Sequence, residues 1–345
     1  MSNEVNSFSI SETELQKLNQ EMGLGLSNAQ LKLVAIACEG ISSEYEFIAQ
    51  LPESETSLVR EHVAPDSNPH NAWTYRCDLK ETDSGILSGL SFAIKDSINI
   101  AGIPISMGSE LLNGWVPKSD ATVVSRILAH GGNIIGKTTT ENLCISGGSV
   151  TSWPAPVDNP AAPGFSAGGS SGGSAAVVAN NEVDVALGAD QGGSIRIPAA
   201  FCGVLGHKPT HGLVPYSGIA SLMPGLDHVG PIARSAHELA LTMDAIAGPN
   251  EDDPRQSALR GPAPWPSGYQ MCAPQVNLGV AGLRIGLLQE GFDATRNGEQ
   301  AGFAGSAAAA DLVLSQALRL QELGAQVTIM SIPIHADAAK IYGPI

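Results

Sequence analysis

Apolar positions change their spacing along this chain, and the changes mark out its parts. Over residues 1–60 they recur at helical intervals. Leu15, Leu18 and Met22 follow Ser11-Glu12-Thr13-Glu14, and Leu31, Val34 and Ala35 follow Ser27-Asn28-Ala29-Gln30. Each set opens with a serine and a Glu or Gln three residues on. In such a capping box the two side chains satisfy each other's backbone N–H groups at a helix start. Two helices are therefore predicted, the second stopping near Gly40. Residues 62–84, with Pro65, Asn68 and Pro69, read as a connecting stretch, so residues 1–84 form a helical N-terminal segment.

From Leu87 onward short apolar runs alternate with helical patterns. Leu90–Lys95 reads as a strand. Asp120–Leu128 reads as a helix with Asp120 near its cap and an end near Gly131. Asn133–Lys137 is a strand, Ser174–Asn180 a buried helix of small and β-branched residues, and Val183–Gly188 a strand. Ala236–Ala247 is a further helix, and residues 250–280, rich in Pro, Asp and Gly, read as a surface loop. The end is a βαβ unit: Leu283–Leu288, a helix from about Ser306 to Leu323, then Gln326–Met330. Strands alternating with helices predict an α/β fold over residues 85–345, with a mixed β-sheet between helical layers.

Composition narrows the picture. Of 345 residues, 43% are hydrophobic, enough for a sizeable core. The formal net charge of −16 repels phosphate backbones and argues against a nucleic-acid partner. The five cysteines, Cys38, Cys77, Cys144, Cys202 and Cys272, form no C-x-x-C pair and read as reduced thiols of a cytoplasmic protein. Met1–Asn6 has no basic or apolar signal region, and no run of roughly 18 apolar residues is present, so no membrane association is expected.

The candidate chemistry lies in two glycine-rich loops and one lysine. Gly168-Gly169-Ser170-Ser171-Gly172-Gly173-Ser174 is answered by Asp190-Gln191-Gly192-Gly193-Ser194-Ile195-Arg196, and Lys95 closes the apolar run Phe92-Ala93-Ile94. Glycine beside serine lets backbone N–H groups approach a substrate carbonyl and hold the oxyanion formed on attack. A buried lysine with a lowered pKa can act as the base. Each feature has a plainer reading: a snorkelling lysine, a Gly/Ser linker, a tight turn. A linker does not fit the apolar Ala175–Ala179 that follows at once. Asp96 reads as a turn residue, and Asp190 with Arg196 as a local pair shaping the second loop. Gly164–Gly168 and Gly168–Gly172 both satisfy G-x-S-x-G, but no strand precedes either serine, as a nucleophile elbow requires. No histidine pair has metal-ligand spacing on a helix, and no phosphate-loop or dinucleotide fingerprint is present.

From about Gly85 to Pro254 the chain resembles the amidase signature family, and within it the soluble microbial amidases of nitrile-degradation pathways. Asp190–Gly203 and Gly206-His207-Lys208-Pro209-Thr210 carry the likeness most specifically. The resemblance implies the amidase signature fold, a mixed sheet covered by helices on both faces, with the C-terminal part of that fold missing here. It implies hydrolysis of a carboxamide to carboxylate and ammonia through an acyl-enzyme, without cofactor or metal. Ser194 would be the nucleophile and Lys95 the base. Ser170, after a cis Gly169–Ser170 bond, would relay the proton, supported by Ser171. The N–H groups of Gln191, Gly192, Gly193 and Ser194 would hold the oxyanion. The partner implied is a small-molecule amide, with a homodimer left open. Within the same resemblance stand indoleacetamide hydrolysis and a role in an amidotransferase that works on aminoacyl-tRNA. A serine esterase and an inactive, truncated remnant complete the alternatives.

Overall fold

The computed structural model describes residues 10–49, 58–259, 279–291 and 307–337. The chain divides into two compact units, Met1–Ser57 and Leu58–Ile345. The division falls well before the 84/85 boundary expected from the pattern, because residues 58–84 contribute to the second unit.

The first unit holds α1 (Glu12–Glu21) and α2 (Asn28–Ala49). Both capping boxes form. Glu14 N–H donates to Ser11 Oγ at 3.2 Å while Ser11 N–H donates to Glu14 Oε2 at 2.8 Å, and Ser27 and Gln30 exchange the equivalent bonds. The expected stop at Gly40 does not occur. A glycine ends a helix by turning left-handed, whereas Gly40 keeps a negative φ and α2 continues through it to Ala49.

In the second unit, β1 (Trp73–Leu79), β2 (Ser91–Lys95), β3 (Asn133–Thr138), β4 (Val185–Asp190), β5 (Leu205–Gly206) and β6 (His228–Ala233) form one sheet in the order β1-β3-β2-β4-β6-β5. β2 runs parallel to both β3 and β4, and β1, β6 and β5 join antiparallel. The stretch 62–84, expected to be a connection, thus contains an edge strand. The helices are α3 (Thr122–Ala129), α4 (Gly172–Ala179), α5 (Arg196–Cys202) and α6 (Ala236–Ile246). Asp120 does not cap α3. Its carboxylate accepts from the Arg60 guanidinium at 2.5 and 2.8 Å and from the Ala101 N–H at 2.8 Å, and the N-cap position falls to Ala121. A bidentate pair with a distant arginine outweighs a local cap.

The predicted loop at 250–280 begins as packed structure: Pro254–Leu259 is a 3₁₀ helix, and buried Gln256 donates to the carbonyls of Gly212 and Gly248 at 2.7 and 3.1 Å. Residues 260–278, with Cys272, lie outside the described residues. The terminal βαβ unit is present as β7 (Arg284–Leu288), α7 (Ala307–Glu322) and β8 (Gln326–Met330). The two strands are parallel in a sheet of their own. The predicted helix start at Ser306 lies outside the described residues.

Side chains alternate across a strand, and β2 and β4 are apolar on both faces. Phe92, Ile94, Val185 and Leu187 pack with Ile127 and Leu128 of α3 and Met243 and Ile246 of α6. Ala93 and Ala186 face the other way, into small residues of α4 and α5 such as Ala175, Ala176 and Ala199. The same period of two puts Lys95 on the face of Ala93, beneath α4.

Candidate active site

Lys95 ends β2 and has no solvent exposure. Its Nζ donates to Ser170 Oγ at 2.7 Å and to the Ala189 carbonyl at 3.4 Å. Burial pushes its pKa below the usual lysine value of 10.5, against the opposing pull of Cys144, Asp190 and Asp227. A lysine so placed is more readily neutral than one in water, which is what a base requires.

Ser170, also fully buried, sits just before α4, and the Gly169–Ser170 peptide is cis. The Ser170 carbonyl accepts from the Thr140 hydroxyl at 2.9 Å and the Glu141 N–H at 3.0 Å. Ser171 ties the two serine loops together. Its N–H donates to the Ser194 carbonyl at 3.2 Å, and its hydroxyl exchanges bonds with the Ala189 C=O and N–H at 3.2 and 3.3 Å.

The loop carrying Ser194 is built around Asp190, buried at the end of β4. One carboxylate oxygen accepts from Gly193 N–H at 2.8 Å and Arg196 Nη2 at 2.9 Å; the other accepts from Ile195 N–H and Arg196 Nε, both at 3.0 Å. Burial alone would raise this pKa. The Arg196 guanidinium and the Ile195 and Gly193 amides outweigh burial and hold the carboxyl below the usual value. The expected local pair is therefore the anchor of the loop. Gly193 has φ 133°, a conformation L side chains rarely adopt, and a Cβ there would lie 2.6 Å from Ile197. Its N–H is engaged by Asp190 within the loop. Ser194 is 7% exposed, whereas Lys95 and Ser170 are at 0%.

The Gln191 side chain turns into a polar network. Its Nε2 donates to Asp227 Oδ1 at 2.7 Å and to the Tyr216 hydroxyl at 3.3 Å, and that hydroxyl donates to the Ala220 carbonyl at 3.3 Å. Asp96 is no simple turn residue. Its Oδ2 accepts from Ser106 N–H and Oγ and from Met107 N–H at 2.7 to 3.0 Å, and its Oδ1 lies 3.0 Å from Nζ of the equally buried Lys137. The only sequence sign of this second pair is a charge placed directly after an apolar strand. The G-x-S-x-G serine Ser166 is bonded to Ser149 Oγ at 2.9 Å and takes no part in the cluster.

A cavity of about 380 Å³ opens between the segment after β2 and the segment around Gly218. Ile105, Met107, Leu112, Trp115 and Ile219 line it, with Asn99 among its polar groups. It lies at the carboxyl ends of the parallel strands, the edge where open α/β sheets bind ligands. Met107 and Ala220 connect its walls to Asp96 and to the Gln191 network. Among the described residues no three His, Cys, Asp or Glu side chains cluster as a metal-holding group. Nor is any helix there long and apolar enough to cross a membrane.

A buried Lys–Ser contact thus stands beside a glycine-rich serine loop on a mixed α/β sheet. The Amidase family profile matches residues 48–345, and the chain belongs to that family. It is 38% identical over 339 residues to an enantioselective amidase from Rhodococcus rhodochrous, covering 96% of this chain and 62% of that protein. Among solved structures, a glutamyl-tRNA(Gln) amidotransferase subunit from Thermotoga maritima superposes with a TM-score of 0.68 at 30% identity, over 80% of this chain and 57% of that one. The peptide amidase from Stenotrophomonas maltophilia gives 0.63 at 34% identity, over 74% and 50%. The chain thus spans 50% to 62% of the length of these three relatives.

Proposed function

We propose that this protein hydrolyses a small carboxamide to carboxylate and ammonia through a Ser194–Ser170–Lys95 relay. The observation that carries the reading is the 2.7 Å contact between Lys95 Nζ and Ser170 Oγ, both without solvent exposure. Neutral Lys95 takes the Ser170 proton as Ser170 takes that of Ser194, and Ser194 Oγ adds to the amide carbonyl. The amides of Gln191, Gly192 and Ser194 hold the oxyanion, with the Gly193 amide shared with Asp190. The proton returns through Ser170 to the leaving nitrogen, the C–N bond breaks, and ammonia departs. Water, deprotonated by the same relay, then cleaves the acyl ester. Every step balances without a cofactor. The apolar cavity suits an uncharged acyl group. The free thiols of Cys38, Cys77, Cys144 and Cys202 are in keeping with a cytoplasmic setting.

The likeness to the Thermotoga amidotransferase protein favours one second reading, ammonia release from glutamine for transfer. Ammonia release is measured from a panel of amides that includes glutamine. Activity on neutral amides and none on glutamine is expected, and the reverse selects the second reading. Ser194→Ala should lose at least about 10³-fold in kcat while remaining folded. A folded variant that keeps a tenth of the wild-type rate overturns the nucleophile assignment.

A further inference from the structure

We infer that Glu141 is a positioning residue for Ser170, holding the Gly169–Ser170 unit from both sides. The inference rests on the reading of Ser170 as the proton relay. Glu141 is 1% exposed, and its carboxylate is met by neutral donors. Oε1 accepts from the Ser146 hydroxyl at 3.1 Å, the Thr151 N–H at 3.2 Å and the Thr151 hydroxyl, and Oε2 accepts from the Ser152 hydroxyl at 3.1 Å. A buried carboxylate is tolerated only when so bonded, and here the bonds close the turn 146–152 around it.

That turn touches Gly169. The Gly147 carbonyl accepts the Gly169 N–H at 2.7 Å, and the Gly148 carbonyl lies where any side chain on residue 169 would have to go, 1.7 Å from an added Cβ. On the far side of Ser170, the Glu141 N–H and the Thr140 hydroxyl both bind its carbonyl, at 3.0 and 2.9 Å. One residue thus fixes the amide of Gly169 through its carboxylate and the carbonyl of Ser170 through its backbone. With both ends held, the Ser170 hydroxyl is aimed at Lys95. None of the four carboxylate bonds reaches the sheet or either apolar core. Their structural reach ends at the turn that carries Gly147 and Gly148.

Kinetics on the full chain test this. Glu141→Gln keeps the backbone bond and the side-chain size but puts a donor among donors. It should lower kcat at least about tenfold with KM within about twofold, since small misplacements of a catalytic group cost this much or more. Thr151→Val, which keeps the carboxylate and removes one donor, should give a smaller loss of the same kind. It carries the test if the Gln variant does not fold. In a Ser170→Ala background neither substitution should change kcat beyond about twofold, because nothing is left to aim. Full kcat in both variants overturns the inference. So does a loss that persists undiminished in the Ser170→Ala background, which marks a merely structural role. Ser170→Ala as active as the wild type would instead remove the relay reading, and this inference with it.

Discussion

Asp190→Asn isolates what holds the Ser194 loop in place. The substitution keeps the size of the side chain but removes the charge and turns one of two acceptor oxygens into a donor. Either orientation of the new amide sets it against at least one backbone N–H and one arginine N–H: Gly193 and Arg196 Nη2 on one edge, Ile195 and Arg196 Nε on the other. A buried backbone amide left without an acceptor costs about 1–3 kcal/mol. The Arg196 side chain is 51% exposed, so water replaces much of its lost partner and its share is at most about 1 kcal/mol. The expected loss is about 1–4 kcal/mol, a sizeable part of the roughly 5–15 kcal/mol that holds a domain together. Urea unfolding reads it directly. Its pH dependence is also set. The Asp190 carboxyl titrates lower when folded than the ordinary value of 3.8. Its contribution is therefore complete above that value and is lost as pH falls through the folded pKa. The gap between wild type and variant should be constant from neutral pH down to about 5 and shrink below about 4. A gap under about 0.5 kcal/mol at neutral pH, or one that widens on acidification, refutes the anchoring role.

Two further outcomes concern turnover. As a base Lys95 must be unprotonated, so kcat/KM should rise with pH and level off. Its midpoint should fall below 10.5, because burial lowers this pKa. A limb that survives unchanged in Lys95→Met assigns the titration to another group. Trp115→Ala should cut kcat/KM for an aryl amide about tenfold relative to a two- or three-carbon amide, as expected for lost apolar contact in the cavity. An unchanged ratio in paired-substrate assays places the acyl group elsewhere.

The parts of this fold that can be read from the chain are those whose burial is written locally. β2 and β4 are short apolar runs, buried along almost their whole length, and the Ser11 and Ser27 caps need only neighbours three residues away. β1 escapes such reading. Trp73–Leu79 carries Arg76 and Asp78, lies at the sheet edge, and is half-buried along most of its length. Its identity as a strand comes from pairing with β3, far along the chain. Asp120 is misread for the same reason, since Arg60 claims it from a distance. At the candidate site, Lys95, Ser170 and Ser194 stand out as an isolated lysine and two glycine-flanked serines beside apolar runs, and their proposed roles come from the family resemblance. Glu141 and Asp96 do not. Their partners are ordinary hydroxyls, amides and a second lysine, at spacings that form no motif. Only tertiary burial makes those bonds obligatory.

The sheet is thinly padded on one side and thickly on the other, and this gives the molecule an uneven capacity for change. Alanines and glycines separate α4 from Ala93 and Ala186, while Phe92, Ile94 and Leu187 meet Ile127 and Leu128 across the opposite layer. A methyl group added on the thin side has nowhere to go but outward. It would lift α4, and with it Ser170, off Lys95. Exchanges among Ile, Leu and Val on the thick side shift volume on the face turned away from the Lys95–Ser170 contact and are absorbed by repacking. Sequence drift, and any campaign to harden this protein against heat, therefore has its freedom in the layer of α3 and α6. The layer of α4 is the side on which close packing of small residues leaves almost none.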